Sequence, residues 1–412
     1  MSKDNKLYID LSSNKINYSL QVEGEDHVED SLIGDGIDKG IIINLKNLTT
    51  SIKNNLKLLE IIENDNFREV IFGISPSNIT TINDSHLIFN SDSPKAINES
   101  DINQLESINN IQQDKSSIIH SYPLGFVLDE KDTVTNPLGM HARKFESKII
   151  KILIDSELKS NIKNLTKNLG IRSPFQIVSN SLANSLYSVE EENKEVGCYL
   201  INISNTVTEL SAIYKNKVRY LKAIPVGSQH FISDISLTLD ISLSDADLLV
   251  GEFGTMTPEL IKEKDSRVIS SNTGEELVIS NRKIGAIMRE RANELLTISK
   301  NLFSNWESRD FPINRIVISG SGAKYENLES LVKYIFQYFV YKSHDYHNSS
   351  IISLKNLDKN YKELYLSGMA TESNNINFNL SKNYDSLSKK IGLSKLKKVL
   401  NFKINPKVKS GG

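Results

Sequence analysis

LINISNTVTEL, residues 200–210, has the layout with which several ATP-binding folds grip a nucleotide tail: a strand, a turn of small residues, and a returning strand with an acid of its own. In such hairpins the first strand ends in an acid and the turn is built of glycine. Here Asn202 holds the acidic position, and the turn carries Ser204, Asn205 and Thr206. A second stretch has the same shape. In KLYIDLSSNKINYSLQV (residues 6–22), Ile9-Asp10-Leu11-Ser12-Ser13 lies over Ile201-Asn202-Ile203-Ser204-Asn205 as apolar, polar, apolar, small, small, with a returning strand after both. The pairing suggests a duplicated fold in which each half opens with a hairpin. The alternative is chance similarity between short hairpins.

The regions around the hairpins alternate between strand and helix. Leu45, Leu48, Ile52, Leu56 and Leu59 have helical spacing, and Val70–Ile74 reads as a buried strand. Residues 80–153 differ in texture. They contain a helix opening near Glu99-Ser100-Asp101, strand-like runs at 117–120 and 125–129, a turn at 136–139 and a strand at 148–154, which together make a small inserted α+β unit. In the second half come a strand at 218–224, a helix at 229–239, and another helix capped by Ser244 with Asp245 and Asp247 in its first turn. The amphipathic helix 282–306 follows, with Ile284, Ile287, Met288, Leu295, Ile298 and Leu302 on one side. After it, Ile316–Ile318 leads into the turn Ser319-Gly320-Ser321-Gly322 and a further helix. Glycines there let backbone approach a ligand closely, although any parallel strand-to-helix connection can use them.

At 412 residues, 39% hydrophobic and 24% charged, the chain has the composition of a globular protein with two or more domains. The single Cys198 excludes a disulfide framework, and no leader or membrane-spanning run is read. Net charge is −2, yet nine lysines and one acid between residues 382 and 409 give the tail +8 and leave the body at −10. An acidic body with a basic tail argues against nucleic acid as a partner. The seven histidines show no metal-ligand spacing, and no Walker loop or serine-nucleophile elbow is present, so no metal site and no catalytic residue is assigned.

Two acid-containing hairpins, a Gly-x-Gly turn and a late amphipathic helix occur in the order seen in actin-like ATPases. Five stretches resemble successive landmarks of the FtsA family: GIDKGIIINLKNLTTSIKNNLKLLE (36–60), VIFGISPSNI (70–79), NPLGMHARKFE (136–146), VRYLKAIPVGSQHFISDIS (218–236) and RIVISGSGAKYENL (315–328). This resemblance implies an α/β, actin-like ATPase fold of duplicated ribonuclease-H-like domains with an FtsA-type inserted subdomain. The units would be 1–79 and 154–184 for the first domain, 80–153 for the insert, 185–370 for the second domain with its outer part at about 228–290, a linker at 371–386, and a membrane-targeting tail at 387–412.

By the same resemblance the protein would bind the C-terminal tail of FtsZ, self-assemble, recruit later division proteins, and tether FtsZ to the cytoplasmic face of the inner membrane at the division site. ATP with Mg²⁺ would be its cofactor, held by Asp10, Ser12, Ser13, Lys15, Asn202, Ser204, Asn205 and Thr206 at the phosphates and by Arg291, Glu294, Gly320, Ser321 and Gly322 on the adenosine side. The departures weaken that expectation. Ser12 and Ser204–Thr206 stand where the family has glycines, whose amides can approach an anion without an intervening side chain, and Asn202 lacks the charge that organises Mg²⁺ and its waters. Weakened ATP binding and no hydrolysis are the consequence. The rival readings are an active ATPase of this fold and an actin-like adaptor of pilus assembly.

The tail has its own pattern. Leu393, Leu396, Leu400 and Ile404 share a helical face with Val399 beside them, while Lys390, Lys395, Lys397 and Lys398 lie largely elsewhere. Such a helix suits the headgroup layer of an anionic membrane. A solvated basic tail or a partner-binding peptide is the alternative.

Overall fold

The computed structural model describes residues 5–366, apart from 14, 62–66, 103–114, 132, 263–264, 307–311 and 344–349. The first half contains β1 (Asn5–Asp10), β2 (Lys15–Val22), β3 (Glu25–Ile33), the short ribbon β4 (Ile37–Asp38) and β5 (Ile41–Ile42), α1 (Leu45–Leu58) and β6 (Glu69–Ile74). Next come β7 (Thr80–Ala96), β8 (Ser116–Leu128), β9 (Thr133–Val134) and β10 (His141–Asp155), then α2 (Ser156–Asn168), β11 (Phe175–Ser179) and α3 (Asn180–Tyr187). The second half runs through α4 (Glu191–Val196), β12 (Cys198–Ile203), β13 (Thr208–Tyr214), β14 (Lys217–Ile224), α5 (Ser228–Leu239), α6 (Leu243–Phe253), β15 (Ser266–Ser270) and β16 (Glu276–Ser280). It continues with α7 (Asn281–Trp306), β17 (Arg315–Ser319), α8 (Leu328–Phe336), β18 (Phe339–Lys342) and α9 (Ser350–Leu366).

The duplication read from the two hairpins reappears in the sheets. Among the described residues the first sheet has the order β3-β2-β1-β6-β11 and the second β14-β13-β12-β17-β18. In each, three antiparallel strands are followed by two that join in parallel. The interior strands β6 of the first sheet and β12 of the second are buried along their whole length, which explains their continuous apolar runs in place of alternation. One core cluster lies wholly in the second half, where Tyr199 and Phe303 stack at a centroid distance of 4.1 Å; the other is centred on the first half and takes in Leu200, Ile213, Leu221 and Val317 from the facing side of the second sheet.

The insert is a sheet in the order β7-β10-β8-β9. Its strands are longer than the sequence reading gives. The runs at 117–120 and 125–129 are one strand, β8, whose register against β10 shifts at Lys148/Ile149 and Ile152/Leu153, and β10 begins at His141. The 17-residue β7 has no alternating signal because most of it is partly exposed and rich in Asn, Asp and Ser; pairing with β10 makes it a strand. Residues 99–102 are helical, and the rest of the helix expected there lies outside the described residues.

Three further expectations are corrected. The cap of α6 is Ser242, whose Oγ accepts from Asp245 N at 3.1 Å, while Ser244 only bonds the Ser242 hydroxyl. Ile298 is 38% exposed, because the buried stripe of α7 runs through Ile284, Met288, Ala292, Leu295, Ser299 and Phe303. Residues 350–366, read as part of the second domain, pack as α9 on β1, β2 and α3 of the first. Lys355 of α9 pairs with Asp26 and Glu29, and Asp358 accepts from Lys6 and Tyr8. Helical periodicity carries no information about which sheet a terminal helix will cover.

Candidate functional site

The tips of the two equivalent hairpins hold the residues with the most concentrated chemistry. Asp10 ends β1 opposite Asn17, and Asn202 lies near the end of β12 opposite Glu209. Asp10 is fully buried. Its Oδ1 accepts from Ser12 N at 3.0 Å and Asn180 Nδ2 at 2.6 Å, and its Oδ2 from Asn17 Nδ2 at 2.8 Å and the Ser350 hydroxyl. Ser13, also buried, is turned back on Lys15, donating to its carbonyl and accepting from its amide, while the Lys15 side chain is exposed.

The second hairpin centres on Glu209, 2% exposed. Its Oε1 accepts from Ser75 Oγ at 2.5 Å and Ser181 Oγ at 2.8 Å, and its Oε2 from Asn184 Nδ2 at 2.9 Å and Asn202 Nδ2 at 2.6 Å. Asn202 also donates to Ser204 Oγ at 3.3 Å. The turn closes with Ser204 N on Val207 O, and its carbonyls face α5: Ser228 N donates to Ser204 O at 2.8 Å and Gln229 N to Asn205 O at 2.9 Å. The start of α5, a natural place for an anion, is thus capped by the turn itself. Thr206 is buried and Asn205 exposed.

The glycine turn meets this hairpin from β17. Gly320 has φ +81, and a Cβ there would lie 2.5 Å from both Asn202 Oδ1 and Ile203 O; one on Gly322 would lie 2.4 Å from Ile203 Cγ2. The Ser321 hydroxyl reaches Ser228 Oγ at 2.8 Å and Ile203 O at 3.3 Å. Asn202, Ser204 and Gly320–Gly322 are therefore brought together. Arg291 and Glu294 sit on α7, where Arg291 grips Asp234 of α5 through Nε at 2.6 Å and Nη2 at 2.9 Å and reaches Glu294 through Nη1 at 2.5 Å. Its donors are committed to protein carboxylates.

Sequence reasoning missed Asn180, Ser181, Asn184 and Ser75. Nothing marks them in the chain except small polar character; they matter because α3 begins between the two hairpins. Glu209 was visible as the returning strand's acid but was not assigned. With four neutral donors on Asp10, four on Glu209, and an amide at Asn202, the acceptor atoms that would order a hydrated Mg²⁺ are already used. Among the described residues no group of three or more His, Cys, Asp or Glu could hold a metal ion. This donor set does not fit a Mg²⁺–triphosphate.

A buried histidine fixes the start of α3. His120 Nε2 accepts from Ser179 N at 3.0 Å, and Ser179 Oγ caps the helix by accepting from Leu182 N at 3.1 Å. Burial pushes the imidazole down to about 3. Because the folded protein disfavours the charged ring, its contribution to stability is complete above the unfolded value near 6.5 and is lost as pH falls from there towards 3. Urea unfolding is expected to show a loss of about 2 kcal/mol between pH 6.5 and 5, above the range of ordinary carboxylates, and His120→Gln should flatten that slope.

Comparison with known proteins agrees with this architecture. Residues 199–355 match the family model for cell division protein FtsA, and residues 77–153 match that for the SHS2 domain inserted in FtsA. The chain is 22% identical over 351 residues to the cell division protein FtsA of Borreliella burgdorferi, covering 82% of this chain and 84% of the relative. It is 20% identical over 317 residues to that of Escherichia coli K12, covering 73% of each. Among solved structures, ADP-bound MreB5 of Spiroplasma citri superposes with a TM-score of 0.56 at 14% identity, over 87% of this chain and 98% of that one. The PilM–PilN type IV pilus biogenesis complex gives 0.54 at 13% identity, over 88% and 94%. With paired actin-like sheets, an FtsA-type insert and relatives of that one name in several bacteria, the chain belongs to the FtsA family of cell-division proteins.

Proposed function

We propose that this protein is a division adaptor that binds the C-terminal tail of FtsZ, assembles with copies of itself, recruits later division proteins, and tethers FtsZ filaments to the cytoplasmic face of the inner membrane at the septum. Family membership is the observation that carries the reading, and it favours division over the pilus alternative. The outer part of the second domain, about 228–290, offers a surface suited to a peptide: Val268 and Val278 face each other across β15 and β16 and are 61% and 72% exposed, with Leu237, Leu243, Leu248 and Leu260 exposed on neighbouring elements. No helix among the described residues is long and apolar enough to cross a membrane. Attachment is assigned to the tail, whose Leu393, Leu396, Val399, Leu400, Ile404, Lys390, Lys395, Lys397 and Lys398 lie outside the described residues. The cleft bounded by Asp10, Asn202 and Gly320 is the remnant of a nucleotide site and does not hydrolyse ATP.

In sedimentation with anionic liposomes, the full chain is expected to pellet and the chain lacking residues 387–412 to remain at least about tenfold more in the supernatant. Both should bind a fluorescent FtsZ tail peptide with equal affinity. Pelleting of the truncated chain would remove the membrane assignment; absence of peptide binding by either would remove the division role.

A further inference from the structure

We infer that the cleft is clasped shut by its own side chains, with Glu209 as the clasp, so that the closed arrangement of the two halves does not depend on Mg²⁺ or nucleotide. The inference stands on the geometry of the cleft and not on the FtsZ reading. Glu209 belongs to the second sheet, and Ser75, which follows β6, to the first; the 2.5 Å hydrogen bond between them spans the two halves directly. The same carboxylate takes Ser181 and Asn184 of α3, a helix that also packs on β6, β11, β13 and β14.

Asp10 holds the neighbouring residue of that helix. Asn180 donates to Asp10 and Ser181 to Glu209, so consecutive side chains of the first turn of α3 link the acids of the first and second hairpins. The two carboxylates lie at the positive end of the helix dipole. Ser350, at the start of α9 after the last strand of the second half, completes Asp10. A ligand closes a two-part protein by interacting better with the closed state than with the open one. Here those interactions are intramolecular and already made, and each carboxylate has four donors.

Hydrogen exchange read by mass spectrometry on the full chain tests this. Residues 70–80, 178–187 and 200–212 are expected to be protected without nucleotide, and 1 mM Mg-ATP to change their exchange less than about twofold. Glu209→Gln replaces an acceptor with an NH₂ that opposes Asn184 or Asn202, and should raise exchange in all three segments at least about tenfold while leaving β15–β16 unchanged. Ser75→Ala removes one of the three bonds, with those of Ser181 and Asn184, that join Glu209 to the first half, and should raise exchange about threefold in the same segments. If Glu209→Gln does not fold, Ser75→Ala decides. Unchanged exchange in Ser75→Ala, or strong protection conferred by Mg-ATP on the natural chain, would overturn the clasp. FtsZ-peptide binding measured on the same samples reports on the division role separately.

Discussion

Gly320→Ala is expected to lower the stability of the second half by about 3–5 kcal/mol, measured as the urea midpoint at constant slope. Two costs add. At φ +81 and ψ 178 the backbone lies in a region open essentially to glycine alone, and a side chain there carries strain whatever space surrounds it. The space is also taken: a Cβ would lie 2.5 Å from the Asn202 amide oxygen and the Ile203 carbonyl, and neither can withdraw without disturbing β12 at the point where it pairs with β17. Gly251, with nothing within 4 Å of its Cβ position and an ordinary φ, is the control; alanine there should be neutral or slightly stabilising. Equal effects at the two positions would contradict the close approach.

Phe303→Ala should cost about 3–5 kcal/mol, read from the same unfolding curves. Phe303 is buried against Tyr199 at a ring-centroid distance of 4.1 Å, with Trp306 at 5.6 Å and Phe336 at 5.8 Å. It joins α7 to the back of β12 and to α8, so removing the ring opens a cavity bounded by three elements that cannot collapse together. Phe303→Leu, which retains much of the volume, is expected to lose less than half as much. Loss of the same size in both variants would mean that ring stacking, and not filled volume, dominates.

The legible part of the protein was its local pattern. The hairpins of residues 6–22 and 200–210, the helix opening at Leu45, the strands at 70 and 316 and the long amphipathic helix were each visible because strand alternation and helical spacing are properties of contiguous residues. Strand β7 was not visible, since its polar residues become a strand only when β10 lies beside them. The serine at position 242 was passed over for its neighbour at 244 because capping depends on where the first helical turn closes, a difference of two residues that sequence pattern does not resolve.

The candidate site divides in the same way. Asn202, the small polar residues Ser204, Asn205 and Thr206 of its turn and the glycines at 320 and 322 announce, as residue types, a phosphate-binding frame without its charge and without most of its glycines. Composition likewise gave the +8 tail on an acidic body. What only the tertiary structure decided is where the remaining carboxylates spend their lone pairs. Asp10 and Glu209 are 199 positions apart in the chain, and Asn180, Ser181 and Ser75 carry no motif. The start of α3 brings their donors to both acids because burying a carboxylate obliges the fold to satisfy it. Sequence by itself determined the duplicated hairpins and their altered chemistry; the packing of α3 between the two sheets and of α9 over the first decided that this chemistry is turned inward, since a hydrogen-bond partner distant in sequence is chosen by the three-dimensional path of the chain.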